Sequence, residues 1–490
     1  MKTSMIINYR WPYLLVCGLI FLWITMGGSL GAAEVTELDT RMQGFEASAE
    51  NSSPAPEDNT DDILSGFEDD SNAPASSGDS LPESKVSIDG YAKFSSSYNI
   101  AHDKPLEDET DWRGFSKLKG SLYLELGARL FADWRVQISA KGSQDAIYDL
   151  RGEDEFNDDV VDNYETELAL TETYISGSLT DFLDLKIGRQ IVVWGKSDNI
   201  RITDVLNPLD LREPGLTDIE DLRLPVAMTR IDYYFGNWSL GAFMIHEIRY
   251  NQNPEFGSDF YPSDTPPPDE EDPEEGFDET EYALALNGIF SGWDIAFYYA
   301  DILNDAYHPE LISVFPTLEI RLQHDRLELY GAAFNVARGN WLIKTEMAYL
   351  EGFTFFNTED ETFSRIDLLA GLEYSGIRDT SVSFELANRH LIDFNERLSD
   401  DPDEAIEDDT QSVFRLTRSF LNETLSCTLL AICYGTSQAD GALERLSLDY
   451  DFNDAVMVRI GVIAYQAGDG RLTGHIEDND RVYAELKYSF

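Results

Sequence analysis

The chain has 490 residues, and its 92 Asp and Glu against 36 Lys and Arg give a formal net charge of −56. An excess of that size excludes nucleic acid as the natural partner and leaves cations, basic partners or plain solvation. Beyond residue 33 no stretch offers 18 uninterrupted apolar residues, so no helical membrane span is predicted there.

Residues 1–33 have the pattern of a secretory signal peptide. Lys2 and Arg10 form a positive start, Tyr13 to Met26 an apolar core, and Gly31-Ala32-Ala33 a small-residue cleavage site. Cleavage there removes two basic residues and no acid, taking the charge to about −58. Residues 34–85 are rich in Ser, Pro, Asp and Glu with few aromatics, the composition of a disordered acidic arm that cannot bury a core.

From Val86 the pattern changes to alternating segments of about ten residues, the length of a tilted membrane strand. Short polar or Gly-containing links join them: Phe131-Ala-Asp-Trp134, Phe235-Gly-Asn-Trp238, Phe290-Ser-Gly-Trp293, Asn340-Trp341, Phe420-Leu-Asn-Glu-Thr424 and Phe452-Asn-Asp-Ala455. Each reads as a hairpin turn. Trp134, Trp238, Trp293 and Trp341 sit at these turns, as aromatic residues do at a bilayer edge. The other connections are long and acidic: Gln144–Asn163, Tyr250–Glu281, Phe394–Asp409 and Gln466–Asn479. The last four strands are read as Thr424–Tyr434, Ala442–Phe452, Ala455–Tyr465 and Arg481–Phe490. Short turns alternating with long loops predict an all-β antiparallel barrel of about 18 strands, with 16 as the alternative.

In Gly120–Leu130 the alternation puts Leu122, Leu124, Leu126, Ala128 and Leu130 toward lipid and Tyr123, Glu125, Gly127 and Arg129 toward the lumen. The same rule makes Gln137, Ser139, Lys141, Lys344, Glu346, Arg365, Asp367, Arg459, Arg481, Glu485 and Lys487 lumenal. Charged inward positions need water inside, and outward apolar stripes need lipid outside. Arg365, Arg415, Arg445, Arg459, Arg481 and Lys487 cluster in the last third and suggest a basic wall opposite the acidic loops.

The least barrel-like stretch runs from Gly188 to Pro225. It starts as a strand, Leu183 to Val193, and keeps Trp194, Leu206, Leu209, Leu211 and Leu222, so it has apolar side chains to pack. Residues 195–225 are therefore expected to fold into the barrel mouth as a constriction. Its candidate pore residues are Arg189, Trp194, Lys196, Arg201, Asp204, Asn207, Asp210, Arg212, Glu213 and Arg223, a mixture of both signs of the kind that sorts solutes by charge and size. A salt-bridged brace fits the same residues, and Trp194 fits a packing anchor better than a ligand platform.

Gly188-Arg189-Gln190, Trp194-Gly195, Asp204-Val-Leu-Asn207-Pro208 and Leu222-Arg-Leu-Pro225, with the late segment Leu443–Tyr465, resemble a family of proteobacterial porin-like outer-membrane barrels of unassigned function. The ending Arg481–Phe490 is similar to the terminal strand of such barrels, which implies that Tyr488 and Phe490 form an assembly signal for the barrel-assembly machinery. The resemblance implies a Gram-negative outer membrane and supplies no substrate.

Catalytic and metal signals are weak. The six histidines show no HExxH or HxH spacing, and no Ser lies in GxSxG. His246 and His390 read as rim residues, and the acidic stretch 264–281 reads as solvated repulsion rather than an ordered Ca²⁺ loop. Cys427 and Cys433 on one strand would stand about 20 Å apart, far beyond disulfide reach. No cofactor is expected. The sequence thus predicts a non-enzymatic channel, embedded in outer-membrane lipids, for small polar or charged solutes, with its acid excess biasing it toward cations. The alternatives are a non-conducting scaffold or sleeve for a partner protein, and a transporter of hydrophobic compounds. Whether the barrel forms a homo-oligomer is left open.

Overall fold

The computed structural model describes residues 86–490 apart from 106–109, 132, 264, 271–279, 314–318, 359–360 and 469–475. The leader, residues 1–33, and the acidic arm, 34–85, lie outside the described residues, as does most of the stretch 264–281.

Alternating side chains of β-branched and aromatic type build long strands. The first nine are β1 (Val86–Asn99), β2 (Gly114–Phe131), β3 (Trp134–Asp145), β4 (Thr166–Thr180), β5 (Leu183–Gln190), β6 (Val226–Phe235), β7 (Trp238–Ile245), β8 (Glu281–Phe290) and β9 (Trp293–Leu303). A small separate hairpin, β10 (His308–Ser313) and β11 (Glu319–Gln323), follows. The rest are β12 (Arg326–Arg338), β13 (Trp341–Phe353), β14 (Phe363–Ile377), β15 (Thr380–Leu391), β16 (Asp408–Phe420), β17 (Leu425–Tyr434), β18 (Ala442–Asn453), β19 (Val456–Gln466) and β20 (Arg481–Ser489).

Apart from that hairpin the strands form one 18-stranded antiparallel sheet in which chain neighbours pair throughout, β9 with β12 across the hairpin. The sheet closes on itself: β1 pairs with β20 from Tyr91 opposite Ser489 to Asn99 opposite Arg481. At the end of this seam Phe490 and Gly90 exchange both backbone hydrogen bonds, at 2.9 and 3.0 Å. Among the described residues the barrel therefore has 18 strands rather than 16, and closure leaves the barrel sheet without an edge.

The links at one end are two to four residues long and the connections at the other are much longer. Two short links, at 181–182 and 378–379, lie outside the turns read from the sequence; the first carries Phe182, which packs edge-on to Tyr233. Asp379 takes φ 53° in the second, a conformation that Asp tolerates. At the short end aromatic rings crowd together. Phe290 stacks on Trp293 at 4.2 Å, Trp238 packs edge-on to Phe290, and Trp341 meets Tyr374 at 4.4 Å. The outward stripe of β2 leaves Leu122, Leu124, Leu126 and Leu130 between 39 and 49 % exposed. An apolar belt with aromatic flanks around a closed barrel is stable in a bilayer, where every backbone group must be satisfied internally.

The core lies inside the barrel. Trp194, Ile200, Ile202 and Leu206, from the segment after β5, pack with Met228, Phe243, Ile245, Ala283, Ala285, Ala296, Ala300, Leu329, Ala348 and Leu350 on the wall. The lumen thus holds an apolar, packed cluster, where the sequence reading has charges on most strands. The reason is that β8, β9, β12 and β13 turn small Ala residues inward, and these make room for the segment. The connection between β3 and β4 also folds, into helices Ile147–Arg151 and Asp158–Tyr164 around Ile147, Tyr148, Phe156 and Val160. Asn157 caps the second, accepting from the Val160 N–H at 2.8 Å.

Candidate functional site: the lumen and the segment folded into it

The segment 191–225 leaves the wall because β5 stops at Gln190 and the chain turns inward. Asn207, fully buried, holds the two ends of the excursion together. Its Oδ1 accepts from the Val192 N–H at 2.8 Å, and its Nδ2 donates to the carbonyls of Gln190 at 3.2 Å and Leu224 at 2.9 Å. Asp204 does similar work, accepting from the Trp194 N–H at 3.2 Å and pairing with Arg223 at 2.8 Å and Arg201 at 3.3 Å. Arg201 in turn donates to the carbonyls of Asp204 and Asn207. Trp194 stacks on Tyr298 at 4.7 Å and meets Phe243 edge-on at 5.7 Å.

The tip of the segment is clasped by two buried wall carboxylates. Glu346 on β13 accepts from the N–H groups of Lys196 at 2.5 Å and Ser197 at 2.7 Å, and from the Thr203 hydroxyl at 2.8 Å. Glu385 on β15 accepts from the N–H groups of Asp198 at 3.0 Å and Asn199 at 3.1 Å and from the Ser197 hydroxyl at 2.9 Å. Lys344 pairs with Asp198, and Lys196 with Asp294 at 3.0 Å.

The second half of the segment reaches β18, β19 and β2. Arg445 pairs with Asp218 and donates to the Gly215 carbonyl at 2.9 Å. Tyr465 donates to the Pro214 carbonyl at 2.7 Å. Glu213 pairs with Lys117, and Arg212 forks onto Asp210 at 2.7 and 2.8 Å and reaches Glu167 at 3.4 Å. Burial opposes the charge on Glu213, but Lys117 and Lys119 outweigh it and hold the carboxyl down to about 2. For Asp305, in the connection after β9, burial dominates and pushes the carboxyl up to about 7 against the pull of Arg201 and His324.

Nine of the ten candidate pore residues lie in this inward segment, and one does not. Arg189 is on β5, on the face that carries the exposed Ile187, and it pairs with Glu247 at the rim while donating to the Leu170 carbonyl at 2.9 Å. Alternation along a strand makes this unavoidable, because inward Gly188 and Gln190 flank it. Of the lumenal candidates, Lys344, Glu346, Asp367 and Arg481 are buried. Arg365 pairs with Asp367 at 2.7 Å, Arg459 with Asp449 at 2.6 Å, and Arg481 with Asp259 at 3.0 Å. Glu485 pairs with Lys93 at 3.3 Å, and Lys141 stands 4.0 Å from Glu167. Lys487 lies over the Tyr91 ring at 4.6 Å, and Glu125 accepts from the Tyr123 hydroxyl at 2.9 Å. Arg129 is exposed near the short-turn end.

The residue the sequence reading left out of its site is Arg415, on β16. Of the six cations read as a basic wall, its side chain alone makes no hydrogen bond, ion pair or ring contact among the described residues, although its charge helps to lower the Asp218 carboxyl. It borders a cavity of about 160 Å³ lined by Asp198, Glu373, Ser381, Ser383, Arg415 and Thr417, between the segment's tip and the β14–β16 wall. Only pairing distinguishes it, and pairing is not visible in a sequence.

At the long end, His246 meets Thr229 at 2.9 Å and His390 meets Asp408 at 3.0 Å. Ligating atoms of His390, Glu407 and Asp408, and of Asp149, Glu153 and Glu165, converge within 4.8 Å, an arrangement common among solvated acids. Cys427 and Cys433 both lie on β17 as free thiols.

A closed 18-stranded barrel with an apolar belt, an aromatic girdle and short and long ends is an outer-membrane β-barrel of the Gram-negative type. The chain belongs to the family of proteins of unknown function DUF1302, whose profile covers residues 111–490. No curated protein matches it in sequence. Its fold is similar to that of OccAB2 from Acinetobacter baumannii, with a TM-score of 0.50 and 10 % identity over 83 % of this chain and 98 % of that one. OccAB4 from the same organism gives 0.50 and 11 % over 84 and 99 %. OccK1 (OpdK) of Pseudomonas aeruginosa gives 0.49 and 9 % over 83 and 98 %. Identities this low speak for the fold alone.

Proposed function

We propose that the protein is an outer-membrane channel for small polar or charged solutes, narrowed by residues 195–225. The observation that carries this reading is the position of that segment. It is clasped at its tip by Glu346 and Glu385 and farther along by Arg445 and Tyr465, and it leaves a polar gap against β14–β16. Most charges of the segment are spent on one another or on the wall, so its body braces and only its border with the gap meets a solute. Ring-type sorting by ionised side chains then falls to Asp198, Glu373 and Arg415.

The same bracing supports a second reading, a non-conducting barrel whose acidic loops dock a basic partner. Single-channel conductance of the refolded chain lacking residues 1–33, measured in a planar bilayer under a salt gradient, separates the two. Steady conductance that rises on deletion of Asn199–Asp221 supports the channel. A folded barrel that conducts in neither form sinks it.

A further inference from the structure

The gap beside Arg415 is lined by charges of both signs that face each other across it. Glu373, Ser383 and Arg415 stand in one cross-strand row, Glu373 opposite Ser383 and Ser383 opposite Arg415. Neighbouring strands are about 4.8 Å apart, so the carboxylate and the guanidinium start from positions about 10 Å apart with a hydroxyl between them.

On one side of the row Asp198 and Glu373 share a single ammonium, while the buried Glu385 behind them spends its charge on the N–H groups of Asp198 and Asn199. Lys344, 2 % exposed, pairs with Asp198 and stands 3.9 Å from Glu373, which leaves one negative charge over. On the other side the Arg415 side chain has no contact partner, and Asp218, the acid it acts on from a distance, is already paired with Arg445. The remaining lining is hydroxyl: Ser381 donates to Glu373 at 3.0 Å, and Thr417 meets Thr428 at 3.2 Å. A purely anionic solute gains Arg415 and meets uncompensated carboxylate charge. A purely cationic one has the reverse problem. A solute with both charges is attracted at each end and repelled at neither.

We infer that this gap selects small zwitterions, compounds with an ammonium and a carboxylate on one short chain. The inference rests on the channel reading and names its substrate class. The large acid excess of the chain does not decide selectivity, because the side chains that line the gap carry both signs and Glu385 behind the tip is spent on backbone N–H groups.

Three probes with one carbon skeleton test it: γ-aminobutyrate, butyrate and n-butylammonium, each added to the conducting channel in a planar bilayer. γ-Aminobutyrate reduces the current at a concentration about tenfold lower than either of the others, a difference of about 1.4 kcal/mol. Arg415→Gln brings it level with n-butylammonium, and Glu373→Gln brings it level with butyrate. Equal block by all three probes, or butyrate acting at the same concentration as γ-aminobutyrate, overturns the inference while the conductance leaves the channel reading standing. No conductance at all overturns both. The comparison on the unaltered chain decides the matter even if either variant fails to fold.

Discussion

The Ser197 N–H donates to the Glu346 carboxylate at 2.7 Å, so a side chain of the barrel wall caps a turn of the segment inside the barrel. The same carboxylate takes the Lys196 N–H and the Thr203 hydroxyl, one oxygen serving each side. Glu346→Gln turns one of those oxygens into a donor that faces donors. Hydrogen bonds to charged groups contribute about 1.5–3 kcal/mol each, so the tip should loosen without loss of the barrel. The expected result is a higher mean conductance with larger open-channel noise. An unchanged current record would show that the clasp does not set the aperture.

Much of the barrel was legible in the sequence, because lipid outside and water inside force a period of two on every strand. The Trp-bearing turns stood out because an interface holds Trp in place. The links at 181–182 and 378–379 carry no Trp and give no such signal, and the strands of the β10–β11 hairpin are too short to show a period. Arg189 is not a pore residue: it lies within the strand expected at Leu183–Val193, and the alternation of Leu183, Leu185 and Ile187 on that strand already assigns it outward. The inward fold of 191–225 was legible from its own apolar residues. The clasp by Glu346 and Glu385 was not, since it depends on which distant strands the tip reaches.

Asn207 shows how a motif residue can be structural. It makes three hydrogen bonds to backbone groups at both ends of the excursion, and its side chain is fully buried. Asn207→Asp keeps the shape but sets a carboxylate oxygen against two carbonyls. Each stranded group costs about 1–3 kcal/mol. Limited proteolysis of the folded protein in detergent should cut within 191–225 at least about tenfold faster than in the parent, and Asn207→Ala should fall between the two. Equal cleavage rates would remove Asn207 from the account.

The seam between β1 and β20 depends on the absence of a side chain at Gly90. A Cβ there would lie 2.4 Å from the Tyr123 carbonyl oxygen and 3.1 Å from the Phe490 ring. Gly90→Ala must shift a backbone, so the folded barrel should lose resistance to heat in detergent, read as its mobility change on electrophoresis. Gly120→Ala on β2, where the new Cβ has nothing within 4 Å, is the matched control. Equal heat resistance of the two variants would contradict this reading of the seam.

Two carboxyls outside the spanning strands give opposite pH dependences. Glu213 is held down to about 2, so its contribution is present above its ordinary value near 4.5 and is lost as pH falls toward 2. Asp305 is pushed up to about 7, so its contribution is present below its ordinary value near 3.8 and is lost as pH rises through 7. Arg201 and His324 face Asp305 and favour its charged form, while Asp204 opposes it. Protease resistance of the long-loop end should therefore peak between these limits. Asp305→Asn should flatten the alkaline side and Glu213→Gln the acid side. A profile that neither substitution alters would assign the dependence to other groups.

The segment behaves as a bridge with separate anchors, and that makes a prediction about their combination. Glu385 holds residues 197–199, whereas Arg445 holds Gly215 and Asp218 from the opposite half. With one anchor gone the other still confines the chain, because the Asn207 and Asp204 contacts keep its base closed. Glu385→Gln or Arg445→Gln alone should raise conductance modestly. The double variant should raise it by more than the sum of the two, since only then can the whole middle of the segment leave the lumen axis. Additive changes would mean that each anchor gates its own part of the aperture and that the segment does not move as a unit.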